Sequence, residues 1–226
     1  MQKVLAMSKF SAEVSGRRRA YSVVKRLFDI VVSLLMIVVL LPIGALVALI
    51  AAIDTKGNPF FVQVRMGRNN RPFKMVKFRT MSVNAPANVA TYQLEHPETY
   101  ISAVGGTLRK LSVDELPQLF NILKGDMSFI GPRPVVLSET VLLDLRSKNG
   151  ASTVRPGLTG LAQINGRDDV PVFEKAQFDG QYARSLSLRE DMRILFKTVG
   201  YVLHSRGVTE GANPTVAAVS KSERSA

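Results

Sequence analysis

From Ile30 to Ile53 the chain runs for 24 residues without a charge. As a straight helix this stretch would be about 36 Å long at ~1.5 Å per residue. That length is enough for a hydrocarbon core of about 30 Å. It starts too late for the apolar part of a secretory signal, and no small-residue cleavage pattern follows it. A buried helix of a soluble core is the competing reading, but so long an apolar run points to a membrane.

Two features bear on how the segment meets the membrane. Pro42 lies near its middle, with Gly44 two residues on. Proline removes a backbone donor and crowds the carbonyl four residues back, so a kink is expected over Val38 to Pro42. The halves are 12 and 11 residues, each about half the core thickness. Both flanks are also basic. Residues 1–29 carry Lys3, Lys9, Arg17, Arg18, Arg19, Lys25 and Arg26 against Glu13 and Asp29. Residues 55–81 carry Lys56, Arg65, Arg68, Arg71, Lys74, Lys77 and Arg79 against no acid. Positive flanks prefer the cytoplasm. When both do, a helix-break-helix that dips in and returns to the same face is favoured over an ordinary span.

Beyond the anchor the pattern shortens. Residues 59–64 read as a strand, with a turn over Gly67 to Pro72. Phe73 to Met81 alternates apolar and basic positions, which suits a strand or an interfacial stretch. Residues 82–100 read as loop or short helices. Pro117 suits the first turn of a helix, which places its start at Ser112 to Asp114 and its end before Gly125. Gly131-Pro132-Arg133-Pro134 predicts a stiff turn presenting Arg133. Val135 to Ser147 predicts a helix, and Arg155 to Gly160 another rigid loop. Ser187 to Ser205 predicts an amphipathic helix with capping-box spacing at Ser187 and Glu190. Its stripe is Leu188, Met192, Leu195, Val199, Val202 and Leu203. With Arg189, Arg193 and Lys197 beside the stripe, the helix could lie on a membrane face or pack on the core. Residues 207–226 are small and polar, a flexible tail. No repeat or heptad array is present. The divisions expected are a basic N-terminal segment (1–24), a re-entrant membrane helix (25–56), a catalytic domain (57–206) and the tail (207–226). The fold class expected is α/β, mostly helical with short strands.

The composition narrows the chemistry. The chain has 226 residues, 46% hydrophobic and 21% charged, which excludes disorder throughout. Thirty Lys and Arg against 18 Asp and Glu give +12, a balance that favours anionic partners. The chain has no cysteine and two histidines, so disulfides and thiolate metal sites are excluded and a multi-histidine zinc site is disfavoured. P-loop, dinucleotide-binding, nucleophile-elbow and zinc motifs are absent.

Candidate chemistry gathers at Asp114-Glu115. Adjacent side chains on a helix diverge by about 100°, so two neighbouring acids can take separate roles. Near a helix N-terminus an aspartate is held ionised and phosphate is attracted. An ionised aspartate can attack phosphorus directly, once Mg2+ and arginines mask the diphosphate charge. The alternative is that both acids merely favour a helix start. Arg133 is held between two prolines at low entropic cost, and its planar guanidinium suits phosphate. Lys77, Arg79, Arg109, Arg155 and Arg167 are further candidates, each open to being an ordinary solvated or lipid-facing charge. The Gly157 to Gly160 spacing says little alone.

Taken together, KRLFDIVVSLL, PFFVQVRMGRNNRPFKMVKFRTM, LRKLSVDELPQLFNILKGDMSFIGPRP and VRPGLTGLAQINGR resemble the bacterial sugar transferases, monotopic polyprenyl-phosphate phosphoglycosyl transferases. The resemblance runs from Lys25 to Gly207 and is closest to short members that start exopolysaccharide repeats. It implies transfer of a sugar 1-phosphate (galactose or glucose) from a UDP-sugar to undecaprenyl phosphate with release of UMP. It also implies a re-entrant helix broken at Pro42, and Asp114 as nucleophile forming a phosphosugar-aspartate. Asp114 and Glu115 would organise Mg2+, with Glu115 open to assisting the lipid phosphate. Lys77, Arg109 and Arg133 match basic residues near the phosphates, while Arg155, Arg167 and Asp179 lie in matching motifs with less defined roles. The implied setting is the cytoplasmic face of a bacterial inner membrane, in contact with phospholipid. A homodimer and contacts with other polysaccharide-assembly enzymes are further expectations. Two competing classes are a non-enzymatic membrane adaptor and a membrane-tethered nucleic-acid binder. The second is disfavoured because the basic residues form no recognition helix and few aromatics are available for stacking.

Overall fold

The computed structural model of the protein describes residues 2–86, 94, 96–166 and 170–203, with side chains from residue 20 to residue 200. Mostly helical with a few short strands, it is dominated by α1 (Gln2–Thr55). Residues 20–55 of this helix have a mean hydropathy of 3.0 in their most apolar window. Helical assignment continues through Pro42, so the proline does not end the helix as the expected break would. The ring costs one internal hydrogen bond, and the turns on either side carry the helix past it.

Between Tyr21 and Asp54 one face of α1 lies on the rest of the protein. Val32, Met36, Ile37 and Leu40 pack on the central core, and Val47 and Ala51 are buried further on. The opposite face leaves Val31, Leu35, Val38, Val39, Leu46, Leu49 and Ile53 exposed. Polar bonds hold both ends. Arg26 donates to the carbonyls of Ile122 and Leu123 at 2.6 and 2.7 Å, and Asp29 accepts from Ser128 Oγ at 3.0 Å. Twenty-five residues beyond Asp29, Asp54 Oδ2 accepts from Ser102 Oγ at 2.6 Å.

Strands β1 (Phe60–Met66) and β2 (Pro72–Phe78) form an antiparallel hairpin, closed by a 3-10 turn at Arg68–Asn70. The ambiguity over Phe73 to Met81 thus resolves as a strand ending at Phe78. Next comes α2 (Ala103–Lys110), an element not anticipated from the pattern, because Gly105 and Gly106 dilute its apolar face. Ser102 caps it by accepting from the amide of Gly105.

The acidic pair does not start a long helix. Ser112 adopts φ +56°, a left-handed turn that ends the α2 segment, and Val113–Glu115 form a single 3-10 turn. Helix α3 (Gln118–Lys124) begins only after Pro117 and stops at Gly125, which takes φ +102°. The stop at Gly125 is where the sequence placed it. The start moves because the left-handed Ser112 and the donor-less Pro117 bracket the acids.

Strand β3 (Ser128–Ile130) pairs in parallel with β4 (Gly157–Thr159), so the expected loop at 155–160 contains a strand. The glycines there permit close backbone contact: a Cβ on Gly157 or Gly160 would run into the backbone of Gly131. The helix expected at Val135 to Ser147 forms only over α4 (Thr140–Asn149), since the backbone of 132–135 is committed to other partners. Helix α5 (Val172–Arg184) escaped the sequence reading, and α6 (Leu188–Leu203) was expected.

The expected stripe of α6 is only partly buried. Met192 and Leu195 are half-buried, with Leu195 on the core, and Asp191 and Ile194 beside them are buried, while Leu188 and Val199 are exposed. Asp191 draws the helix inward because Lys25 Nζ and Tyr21 Oη lie 2.6 Å away and Tyr182 Oη 2.8 Å away. Most of the core is Met75, Leu119, Ile122, Met127, Phe129, Ile130, Leu161, Ile164, Tyr182 and Ile194, gathered around α3 and the β3–β4 pair.

Candidate active site

Three elements bring charge to one place. The 3-10 turn presents Asp114 and Glu115, β2 presents Lys77, and the loop after β3 presents Arg133. Asn121 of α3 fixes the first two relative to each other. Its amide donates to the Lys74 carbonyl at 2.8 Å and accepts from the Val76 amide at 3.1 Å. The edge of β2 is thereby pinned to the helix that follows the acids.

Glu115 Oε1 accepts from Lys77 Nζ at 2.8 Å and from Arg133 Nη2 at 3.2 Å. Burial alone would raise the Glu115 pKa, but these two cations outweigh it and bring it down to about 2. Glu115 is therefore a fixed carboxylate at any working pH. Asp114 is 7% exposed. Burial pushes its pKa up, the charge of Glu115 adds to this, and Lys77, Arg109 and Arg133 pull the other way. The two acids are thus unlike: one locked as an anion by direct contacts, the other desolvated within a cationic surround. A desolvated carboxylate has little hydration to lose on attack, which suits a nucleophile.

Lys77, Arg109 and Arg133 gather at the acids. Arg155 does not. Its Nε donates to the Gly125 carbonyl at 2.9 Å, at the far end of α3, where it joins Arg26 and Arg68. Arg79 is likewise taken up locally, bonding the Asn58 and Phe60 carbonyls. Arg167 and residues 207–226 lie outside the described residues. Asp179 is buried away from the turn, in an ion pair with Arg146 at 2.6 Å. Arg146 was missed by the sequence reading. The signal was its spacing of four from the buried Leu142, which puts both on the inner face of α4.

Among the described residues no three His, Cys, Asp or Glu side chains gather into a metal cluster. The donor set at the site is the two carboxylates alone. That suits Mg2+, which is commonly held by one or two carboxylates together with substrate phosphates.

The sequence pattern of the bacterial sugar transferase family matches residues 20–205. The chain is 38% identical over 209 residues to the exopolysaccharide production protein ExoY of Sinorhizobium fredii, covering 86% of this chain and 92% of that one. It is 37% identical over 215 residues to ExoY of Rhizobium meliloti, with the same coverage. It is 36% identical over 205 residues to the undecaprenyl-phosphate galactose phosphotransferase of Salmonella typhimurium, covering 84% of this chain and 42% of that longer protein. The turn, its cations and the apolar helix thus lie within one matched span, and the chain belongs to the bacterial sugar transferase family.

Proposed function

We propose that the protein transfers a sugar 1-phosphate, galactose or glucose, from a UDP-sugar to undecaprenyl phosphate, as the membrane step that starts an exopolysaccharide. The observation that carries this reading is the clamp of Lys77 and Arg133 on Glu115, beside the buried Asp114. An ionised Asp114 oxygen attacks the phosphorus that bears the sugar. The bond from that phosphorus to the bridging oxygen breaks, and UMP leaves with the electron pair. An oxygen of undecaprenyl phosphate then attacks the same phosphorus, giving the lipid diphosphate sugar and returning the Asp114 carboxylate. Lys77, Arg109 and Arg133 stabilise the charge that develops on the phosphoryl oxygens. Glu115 holds Lys77 and Arg133 in position. Asp114 and Glu115 would hold Mg2+, which supplies further charge neutralisation when bound. Relatives named for undecaprenyl-phosphate glucose and galactose transfer support the lipid acceptor and these two sugars.

The helix contacts support a re-entrant arrangement on the cytoplasmic face. Arg26 and Asp54 lie on either side of the apolar run, yet both bond the same polar domain. A span would leave about 30 Å of hydrocarbon between them. Basic flanks on both sides agree with this. Exposed Leu188, Phe196 and Val199 with Arg189, Arg193 and Lys197 suit α6 to the lipid interface.

A screen of UDP-sugars for UMP release in the presence of polyprenyl phosphate and Mg2+ tests the activity. Release is expected with UDP-galactose or UDP-glucose and only when the lipid is present for multiple turnovers. No release from any UDP-sugar would end the proposal. Topology is tested separately, because the chain has no cysteine of its own. Single cysteines at Ser8 and Ser82 are expected to react from the cytoplasmic side; labelling from opposite sides would mean a true span.

A further inference from the structure

The loop that carries Arg133 is held in an unusual way. Its two prolines offer no amide donors, so its shape depends on what takes its carbonyls. Four in a row are occupied. Pro132 O accepts from the Gly157 amide at 2.9 Å. Arg133 O accepts from Arg146 Nη1 at 3.0 Å. Pro134 O accepts from Arg65 Nη1 at 3.3 Å, and Val135 O from the Met66 amide at 2.9 Å. Three of these belong to flanking residues. The one at Arg133 itself comes from a buried cation.

That cation is set deep. Arg146 is 5% exposed and its partner Asp179 1%. Arg146 Nε donates to Asp179 Oδ2 at 2.8 Å, and Nη2 approaches the same oxygen at 2.6 Å. Burying a charge pair is costly, and a pair of apolar residues would often serve stability as well. The pair therefore calls for another reason to be there. Its geometry supplies one: the guanidinium fork uses one edge on Asp179 and its remaining corner on the backbone of Arg133.

We propose that the buried Arg146–Asp179 pair is the positioning device of the site, holding the Arg133 backbone so that its guanidinium meets Glu115 and the substrate phosphates. This rests on the phosphoryl-transfer reading above. Asp179 fixes Arg146, Arg146 fixes the Arg133 carbonyl, and Arg133 Nη2 reaches Glu115 at 3.2 Å. Neither member of the pair is among the groups in contact with the acids, so both act through Arg133. The charged groups facing Glu115 are Lys77 from β2, Arg133 from the loop and the neighbouring Asp114; those facing Asp179 are Arg146 from α4 and Lys175 from its own helix.

The test uses two variants of the full chain in lipid nanodiscs. Arg146→Met/Asp179→Leu removes both charges together and leaves an apolar fill, which keeps the fold. Arg146→Lys keeps a cation for Asp179 but lacks the fork. Both are expected to lower kcat/KM about 100-fold, as loss of sub-ångström positioning does. In both, the side-chain 15Nε resonance of Arg133, followed by NMR in the ligand-free protein, is expected to move toward the position of a solvated arginine, since its backbone is no longer held. In an Arg133→Ala background the same changes are expected to cost little more, since the pair has nothing left to position. Folded variants with an unmoved Arg133 resonance, or losses that simply add to that of Arg133→Ala, would overturn the proposal. The resonance needs no turnover, so it tests the positioning role even if the transfer reaction itself proves wrong.

Discussion

Asp114→Asn is expected to abolish turnover, with a loss on the order of 10^4-fold or more, as for removal of a catalytic nucleophile. The substitution keeps the size of the side chain and its place on the 3-10 turn, 7% exposed and beside three cations. It removes the one thing the reaction uses, an anionic oxygen able to bond to phosphorus. Folding is expected to be kept or slightly improved, because a buried carboxylate whose pKa is raised by its surroundings is a cost to the native state at neutral pH. UMP release and exchange of labelled UMP into the UDP-sugar are both expected to vanish. The exchange reaction needs only the first half-reaction, so its loss separates a failed attack by Asp114 from a failed transfer to lipid. Full turnover in this variant would remove Asp114 from the mechanism.

Arg133→Ala is expected to lower kcat/KM by about 10^2- to 10^3-fold, the range for losing one preorganised donor at a site of developing charge. Lys77 remains on Glu115 at 2.8 Å, so the loss falls short of that for Asp114. Arg133→Lys is expected to recover only part, since an ammonium cannot offer two parallel bonds to a phosphate. The change also has a stability signature. The Glu115 pKa is about 2 in the folded protein against an ordinary 4.5, so its ionisation stabilises the fold above the ordinary value and that contribution is lost as the pH falls toward 2. Without Arg133 the folded pKa rises, and the loss is both smaller in total and complete at a higher pH. Acid unfolding of the two proteins, followed by circular dichroism, reads this directly.

Much of the site was legible in the chain because local rules wrote it. Gly125 ends α3 because the stop needs a positive φ, and the prolines around Arg133 announce a rigid loop. Lys77 was a candidate through the family resemblance, and β2 puts it two residues from the buried Met75, on the same face. The rest depended on tertiary contacts that no window of sequence contains. Arg155 lies within the span the family matches, yet the fold turns its side chain to the Gly125 carbonyl, away from the acids. The placement of Asp114 on a 3-10 turn depends on the left-handed Ser112, an uncommon conformation for serine. The inner face of α6 was only partly legible because its buried charge, Asp191, is satisfied by Lys25 and Tyr21 of the distant α1 and by Tyr182 of the preceding helix. The close approach of Gly157 to Gly131 likewise shows only when two segments meet.

The central claim is a covalent bond between Asp114 and the phosphosugar. Incubation with UDP-sugar in the absence of lipid phosphate, acid quench and peptide mass spectrometry measure it. The account predicts a hexose-phosphate adduct on the peptide containing Asp114, absent from Asp114→Asn and discharged by adding polyprenyl phosphate. An active protein with no adduct on that peptide, or with the adduct on another residue, would contradict it.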